Sequence, residues 1–305
     1  MNMNRRSFLG YSVGSVGLSA LGMSPVIAQS GNLITKPIPK TGEQMPLMGL
    51  GTNRYGAGTS AKARAPLLAT VRKFTELGGK LIDTAPSYRG SEGVLGSLIA
   101  EAGLRDDLLM ATKNNQRGGE STANQMSESQ TLLGFDVLDF MQVHNLRNWQ
   151  AQLPVMREWQ QDGKLRYIGI TTSRPNQYDE FLNIMRSEEL DTIQVNYSLA
   201  DREAEKEILP LAQEKGLAVI VNVPFAQGRL FSAVKGADLP EWAAEFGATS
   251  WAQFFLKYIV SHPAVNVAIP GTTKEKYAID NMGASMGELP DAAMRKKQEE
   301  FIANL

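Results

Sequence analysis

Eight short apolar runs, each followed by a stretch with helical spacing, constrain the fold of this chain more than any other feature. Such runs are typical of buried parallel strands. They lie at residues 47–50, 80–83, 108–112, 137–143, 166–170, 192–195, 218–221 and 265–269. Eight strands alternating with helices over about 270 residues predict an α/β protein, a (β/α)8 TIM barrel.

The stretches between the strands predict the helices. They centre on residues 66–77, 92–102, 122–133, 153–161, 177–186, 203–215 and 239 onward into 251–261, with a last pair at 274–282 and 290–303. Two further runs, 33–39 and 45–48, flank a turn at Gly42 and predict an N-terminal β-hairpin. The charged segment 289–305 predicts an extra C-terminal helix packed on the outside of the barrel, which would leave the pocket open.

A doubly wound open sheet is the main alternative to the barrel. That fold would need a phosphate-binding G-x-G-x-x-G after an early strand. The nearest stretch, at residues 49–52, lacks the third glycine. The sequence therefore favours the barrel.

Composition excludes several classes of function. The 305-residue chain has a net charge of −1 and no basic stripe with interleaved aromatics, which argues against nucleic acid as a partner. It contains no cysteine, so disulfides and thiolate metal sites are excluded. The only histidines are His144 and His262, too few for a metal site built on several imidazoles; this does not exclude a carboxylate site, but we expect no metal.

The first 28 residues have the layout of an export signal. Arg5 and Arg6 precede an apolar stretch at 11–26, and small residues lead to Ala28. The stretch is shorter than the ~20 residues of a comfortable membrane span, and for the mature chain we likewise expect no stable span. The pattern resembles a twin-arginine signal, which predicts the translocation machinery as a partner and the bacterial periplasm as location. We expect cleavage after Ala28, with the barrel domain at 29–305; the alternative is a tail with incidental arginines.

Four residues with ionisable side chains lie at the ends of predicted strands or just after them. Asp83 ends the second strand and Tyr88 lies on the loop after it, while Lys113 and His144 end the third and fourth. The carboxyl ends of barrel strands meet at one face, where active sites are built. Alone, each has a structural explanation: an ion pair, a loop aromatic or a core histidine. Together they favour an active site.

These motifs, in order and spacing, resemble the aldo-keto reductase family over residues 31–290. The resemblance is carried by Gly49-Leu50-Gly51-Thr52, Ile82-Asp83-Thr84-Ala85-Pro86-Ser87-Tyr88, Thr112-Lys113, Val143-His144, Gly169-Ile170, Gln194-Val195-Asn196-Tyr197-Ser198, and Ile269-Pro270-Gly271-Thr272 with Asn281.

The resemblance implies hydride transfer from a nicotinamide cofactor to an aldehyde or ketone, with a catalytic tetrad of Asp83, Tyr88, Lys113 and His144. Tyr88 would be the general acid that protonates the carbonyl oxygen. Lys113 would lower the pKa of that phenol, and Asp83 would hold the ammonium in place. His144 would orient the carbonyl by a hydrogen bond.

The resemblance also implies which residues contact the cofactor. At three positions the residue differs from the one usual in the family. The positions matching cofactor-binding residues are Thr52, Thr172, Gln194, Pro224, Phe225, Gln227, Gly228, Pro270, Gly271, Thr272, Lys274 and Asn281. Thr171-Thr172 replaces the usual Ser-Asn pair, Asn222 replaces a stacking aromatic, and Tyr277 replaces the arginine for the 2′-phosphate. Lys274 or Lys276 could take over that charge, so we expect NADP rather than NAD, with NAD as the other possibility.

The substrate is less constrained. Arg54 and Asn145 suggest a polar or anionic small-molecule carbonyl compound. Besides a carbonyl reductase, we consider an exported nicotinamide-binding barrel with a sensory or regulatory role and little turnover. A glycosidase would need two facing acids, and Asp83 is the only acid that the strand pattern places at this face.

Overall fold

The structure, a computed structural model, describes residues 33–304. The predicted export signal at residues 1–28 lies outside these residues. Within the described part, none of the helices combines the length and the apolar character that spanning a membrane requires.

Ten strands make up a hairpin and a barrel in the described part of the chain. The hairpin pairs β1 (Thr35–Pro37) with β2 (Gln44–Pro46) in antiparallel. The barrel strands are β3 (Leu50–Gly51), β4 (Leu81–Asp83), β5 (Leu109–Asn114), β6 (Leu138–His144), β7 (Leu165–Thr172), β8 (Thr192–Asn196), β9 (Ala218–Asn222) and β10 (Val267–Ala268). Each is parallel to the next, and the sheet closes through Gly49 N to Ala268 O at 2.8 Å and Gly51 N to Pro270 O at 3.2 Å. The predicted TIM barrel and hairpin are confirmed.

The helices alternate with the strands. They are α1 (Ala61–Glu76), α2 (Ser91–Ala102), α3 (Gly119–Leu133), α4 (Trp149–Gln161), α5 (Tyr178–Ser187), α6 (Ile208–Glu214), α7 (Arg229–Ala233), α8 (Trp251–Val260), α9 (Glu275–Gly283) and α10 (Ala292–Ala303). Helix α1 begins before the predicted residue 66 because Ser60 caps it, its hydroxyl accepting from Ala63 N at 3.3 Å. The short helix α7 was not predicted.

The first and last barrel strands are shorter or shifted relative to the prediction. Pro270 has no N–H with which to extend β10. At the other end of β10 the Asn266 side chain accepts from Val219 N at 2.7 Å, taking the place of a ladder bond. Met48 and Gly49 pair with the β10 side before β3 begins to pair with β4, because barrel strands are staggered.

The barrel interior is filled from the amino-terminal end. Phe140 and Tyr167 stack there with ring centroids 4.6 Å apart. Ile38 and Met45 of the hairpin are fully buried in the same inner cluster. The hairpin therefore closes this end, and the carboxyl ends of the strands form the open mouth.

Side-chain hydrogen bonds fasten the hairpin. Lys36 Nζ donates to the carbonyl oxygens of Val260, His262 and Val265 at 2.9, 2.8 and 2.7 Å. A cation at the carboxyl end of a helix, here α8, satisfies carbonyls that the helix leaves free. The hairpin is thus tied to residues more than two hundred positions further along the chain.

The C-terminal helix packs on the outside of the barrel, as predicted. The Phe301 ring of α10 contacts the Trp242 ring, with centroids 5.7 Å apart. Arg295 Nη2 donates to Tyr197 Oη at 2.6 Å, and Gln298 Nε2 donates to the carbonyl of Phe254 at 2.9 Å. Helix α10 therefore leaves the mouth of the barrel open.

Candidate active site

The four predicted tetrad residues lie together at the carboxyl ends of the strands. Asp83 is the last residue of β4, Lys113 is the last but one of β5, and His144 is the last of β6. Tyr88 follows on the loop between β4 and α2. The parallel order of the sheet brings these residues to one face, although they are separated by up to 61 positions in the sequence.

Asp83 and Lys113 form a buried ion pair, 3% and 2% exposed. Lys113 Nζ lies 2.7 Å from Asp83 Oδ1 and 2.8 Å from Oδ2, and it donates to Thr84 O at 2.8 Å. Burial lowers the pKa of Lys113, but the Asp83 carboxylate raises it, and the result lies above the ordinary value. The ammonium therefore stays charged.

Tyr88 lies beside this charge. Lys113 Nζ is 5.2 Å from the centroid of the Tyr88 ring. The ammonium lowers the pKa of Tyr88 as expected, but burial of the phenol and the Asp83 carboxylate raise it, and the pKa lies above its ordinary value. The predicted effect of Lys113 is therefore present, but in the protein alone the opposing effects outweigh it. Tyr88 keeps its proton at neutral pH, which is the state that a proton donor needs.

His144 faces the same space as Tyr88. The two rings meet edge to face, with centroids 6.2 Å apart and an interplanar angle of 86°. Burial, together with the charges of Lys113 and Arg174, lowers the pKa of His144 to about 4. The imidazole is therefore neutral above that pH and can donate one hydrogen bond from one ring nitrogen.

The low pKa of His144 predicts the acid side of the pH profile. Since the imidazole does not take up a proton until the pH approaches about 4, we expect kcat to stay level from about pH 8 down to about pH 5. The measurement is initial rates in buffers of constant ionic strength. A fall in kcat centred near the ordinary histidine value of 6.5 would contradict it.

A cavity of about 780 Å³ opens beside Asp83 and Tyr88. Nine of the twelve predicted cofactor contacts line it: Thr52, Gln194, Pro224, Phe225, Gln227, Gly228, Gly271, Thr272 and Lys274. Thr172, Pro270 and Asn281 lie outside its lining. Thr172, the last residue of β7, is engaged with the segment that follows it, donating to Gln177 Oε1 at 2.6 Å and accepting from Arg174 N at 3.1 Å.

Further lining residues were not among the twelve predicted cofactor contacts, although Gly51 and Ile269 belong to the quoted motifs and Arg54, Asn222 and Tyr277 were considered for other roles. They are Gly51, Asn53, Arg54, Tyr55, Ser173, Asn222, Val223, Ile269, Thr273 and Tyr277. Their position directly beside the motif residues is the signal that could have found them. Asn145, named with Arg54 as a substrate determinant, is not in the lining, and its Oδ1 accepts from Ser173 N at 3.2 Å.

Two amides at the base of the cavity differ in their partners. Gln194 Nε2 donates to Asp83 Oδ1 at 2.9 Å, and Gln194 Oε1 accepts from the Thr171 hydroxyl at 2.7 Å. Asn222 Oδ1 is buried without a hydrogen-bond partner among residues 33–304. A buried carbonyl oxygen without a donor fits a ligand that brings an N–H, as a carboxamide does.

The far end of the cavity carries positive charge. Lys274 Nζ and Lys276 Nζ lie 5.7 and 4.9 Å from the centroid of the Tyr277 ring, which is 47% exposed. Lys274 also occupies the cap position of α9. Free amides and lysines at a helix start suit phosphate, so this end of the cavity fits a nucleotide phosphate.

The second histidine, His262, does not belong to the cavity. His262 lies 5.8 Å from the Tyr197 ring centroid on the helix-to-strand side, away from the cavity. No group of three or more metal-ligating side chains occurs within residues 33–304.

Comparison with known proteins gives consistent matches. The model of the aldo/keto reductase family matches residues 47–299. Methylglyoxal reductase YeaE of Escherichia coli is 28% identical over 85% of this chain and 92% of its own length. Aldo-keto reductase YhdN of Bacillus subtilis is 33% identical over 63% of this chain and 62% of its own length, and an NADH-specific methylglyoxal reductase of Escherichia coli is 29% identical over 67% and 71%.

Among solved structures, an aldo-keto reductase from Klebsiella pneumoniae in complex with NADPH superimposes with a TM-score of 0.74. It is 25% identical and covers 89% of this chain and 95% of its own.

Proposed function

The chain belongs to the aldo/keto reductase family of oxidoreductases, and from that membership we propose that it reduces an aldehyde or ketone to an alcohol with Tyr88 as the general acid. The observation that carries the proposal is the buried Asp83–Lys113 pair beside Tyr88, opening on a cavity that suits a nucleotide.

The side chains have separate tasks in this reaction. Bound nicotinamide supplies the hydride. Tyr88 delivers its proton to the carbonyl oxygen, and Lys113 offsets the negative charge that Tyr88 then carries. Asp83 keeps the ammonium in place. His144, neutral at working pH, donates a hydrogen bond to the same oxygen and orients the carbonyl.

The test of this function is turnover of purified protein with a panel of carbonyl compounds and both reduced nucleotides. Reduction in proportion to enzyme, lost when Tyr88 is changed, supports it. Nucleotide binding without turnover of any carbonyl would instead favour the sensory or regulatory role.

We further propose NADP as the preferred nucleotide, since Lys274 lines the cavity and Lys276 lies over the ring of the lining residue Tyr277, so both can supply countercharge to a 2′-phosphate. The double variant Lys274→Ala/Lys276→Ala is expected to raise the Kd for NADPH about tenfold, which is 1.4 kcal/mol, and to leave the Kd for NADH nearly unchanged. Fluorescence titration measures both. Lys297→Ala is the control, because Lys297 also lies over an aromatic ring, Trp242, but outside the cavity.

Tighter binding of NADH than of NADPH by the unaltered protein would overturn this preference. The NADH-specific relative makes that outcome a real alternative.

For the substrate we propose a small, polar carbonyl compound such as a dicarbonyl. Two of the relatives are methylglyoxal reductases, and here the mouth of the cavity is open with Arg54 on its lining. Initial rates with methylglyoxal, a keto acid and an unbranched apolar aldehyde of similar size would test this. Fastest turnover of the apolar aldehyde would refute it.

We propose that residues 1–28 are a twin-arginine signal and that residues 29–305 act in the periplasm. Mass spectrometry of the protein from the exported fraction should show an N-terminus at Gln29. An exported protein beginning at Met1 would reject cleavage, and retention in the cytoplasm with Arg5 and Arg6 intact would reject export.

A further inference from the structure

Five successive loops at the mouth of the barrel each carry one arginine and no other charged residue. They join β3, β4, β5, β6 and β7 to the helices that follow, at residues 52–60, 84–90, 115–118, 145–148 and 173–177. Their arginines are Arg54, Arg89, Arg117, Arg147 and Arg174, which we call the arginine rim. All five are exposed, and none forms an ion pair within residues 33–304. Their charge is therefore open to a ligand.

The rim does not follow from the composition of the chain, whose net charge is −1. The other three loops at the mouth differ from it. The loop after β8, at 197–207, has four acids and two bases, the loop after β9, at 223–228, has no charged residue, and the loop after β10, at 269–274, has only Lys274. Positive charge is thus concentrated on the side of the mouth that β3–β7 form.

The cavity lies mainly on the other side of the mouth. Most of its lining follows β3, β9 and β10, whereas the loops after β5, β6 and β7 contribute only Ser173. A carbonyl group between Tyr88 and His144 therefore has a nucleotide in the cavity on one side and these three loops on the other. Both ends of the rim reach this place, since Arg54 lines the cavity and the charge of Arg174 lowers the pKa of His144.

Side-chain amides join the three loops after β5, β6 and β7. The fully buried Gln152 donates from Nε2 to the carbonyl oxygens of Gln116 at 2.7 Å and of Arg147 at 2.6 Å. Gln177 Nε2 donates to Asn145 O at 3.0 Å. Three arginines of the rim therefore project from backbone segments that are fixed relative to one another.

The loop directly after His144 keeps a costly backbone shape. Asn145, Leu146 and Asn148 have φ values of 53°, 56° and 51°, in the left-handed region that non-glycine residues disfavour. Such residues persist where the surroundings hold them, and they cluster at ligand-binding sites. The shape of this loop therefore supports a role in binding.

We propose that the arginine rim selects carbonyl substrates that carry two or more negative charges, as carboxylates or phosphates, away from the reacting carbonyl. Guanidinium groups bind both anions through paired N–H donors. Like charges grouped beside an open site also draw oppositely charged ligands towards it. The inference rests on the proposed function and narrows its polar substrate to a polyanionic one.

The first experiment compares aldehydes that share one ring and one reacting group. Benzaldehyde, para-formylbenzoate and formylisophthalate carry none, one and two carboxylates, which are ionised at neutral pH. With saturating NADPH, kcat/KM is expected to rise with each charge, by about tenfold in total. The neutral diamide of formylisophthalate controls for size. If the diamide reacts as well as the diacid, the proposal is overturned.

The second experiment removes charge from the rim with the triple variant Arg117→Gln/Arg147→Gln/Arg174→Gln. It is expected to lower the ratio of kcat/KM for formylisophthalate to kcat/KM for benzaldehyde about tenfold. The ratio is taken within one protein, so incomplete folding of the variant, or an effect of Arg174 on His144, cancels. An unchanged ratio would overturn the proposal.

The matched control is Arg72→Gln/Arg105→Gln/Arg186→Gln. It removes the same charge from the opposite face of the barrel, near the carboxyl ends of α1 and α5 and between α2 and β5. The ratio should stay within about twofold, since attraction to the site depends on where the charge lies. An equal fall in both triple variants would show that only net charge matters, against the proposal.

Ionic strength gives a further readout. Raising it from about 0.01 M to about 0.15 M shortens the reach of a charge from about 30 Å to about 8 Å. For formylisophthalate, kcat/KM of the unaltered protein should fall severalfold, and the rim variant should lose most of this dependence. The nucleotide is anionic too, so its Kd is measured in parallel. If the rim variant weakens NADPH binding as much as it lowers the ratio, the rim serves the nucleotide and the proposal fails.

Failure of the proposed function would look different. If no aldehyde is reduced, isophthalate, which has both carboxylates and no aldehyde, still reports on the rim. Calorimetric titration of the NADP complex should show about tenfold weaker binding of isophthalate to the rim variant than to the unaltered protein. That result without turnover would reject the reductase and keep the rim, whereas equal affinities would overturn the proposal.

Discussion

Replacing Tyr88 by phenylalanine is expected to lower kcat for carbonyl reduction about 10³-fold, the scale on which a positioned proton donor contributes. The ring would keep its place 5.2 Å from Lys113 Nζ and 6.2 Å from His144. Only the hydroxyl is lost, so hydride reaching the carbonyl carbon finds no proton for the oxygen. Steady-state kinetics with a saturating carbonyl compound measure the effect.

Two measurements make the Tyr88→Phe result specific. The Kd for NADPH should change less than about twofold. Tyr178→Phe is the matched control, because Tyr178 Oη is buried without a hydrogen-bond partner among residues 33–304 and lies outside the cavity. Retention of more than a tenth of the activity by Tyr88→Phe would show that another group supplies the proton.

Replacing Lys113 by methionine is expected to affect both stability and rate. It leaves the carboxylate of Asp83 buried without its countercharge, which should reduce the free energy of unfolding by about 3–5 kcal/mol. It also removes the charge that stabilises the Tyr88 oxygen after proton transfer, so kcat should fall about 10²-fold or more. Urea unfolding and steady-state kinetics measure the two effects.

The double variant Lys113→Met/Asp83→Asn separates the effect on stability from the effect on rate. Without a buried charge, most of the lost unfolding free energy should return, because breaking an ion pair on one side costs more than removing both partners. The activity should stay low, because Tyr88 still lacks its cation. If activity returned together with stability, Lys113 would have a structural role only.

The meeting of Asp83, Tyr88, Lys113 and His144 could be predicted from the sequence. Three of them end apolar strands and one follows a strand, and parallel order brings such residues to a single edge whatever their separation in the chain. The alternation of strands and helices that predicts the barrel therefore also predicts the grouping of the site.

The direction in which the pKa of Tyr88 shifts could not be predicted in this way. The sequence indicates the cation Lys113, which lowers the pKa, but not how deeply the phenol is buried or how close Asp83 lies, and these effects prevail. The hydrogen bond from Gln194 to Asp83 could not be predicted either. These residues are 111 positions apart, and they meet across the barrel only through the stagger of its strands.

The motifs also did not predict which of the matching residues line the cavity. Thr172 and Asn281 match family positions, yet neither lines the cavity. The Thr172 side chain, at the end of β7, is directed by hydrogen bonds to Gln177 and Arg174, and a pattern of residue types does not contain that information.

The hairpin that closes the barrel sets the order in which the chain can complete its core. Lys36 depends on acceptors at Val260, His262 and Val265, which are made near the end of synthesis. Ile38 and Met45 therefore have no finished interior to cover while the chain is still growing. The hairpin, although made first, is therefore the last part to pack in its final place. A chain shortened from its carboxyl end would leave the inner apolar cluster exposed to water and prone to association.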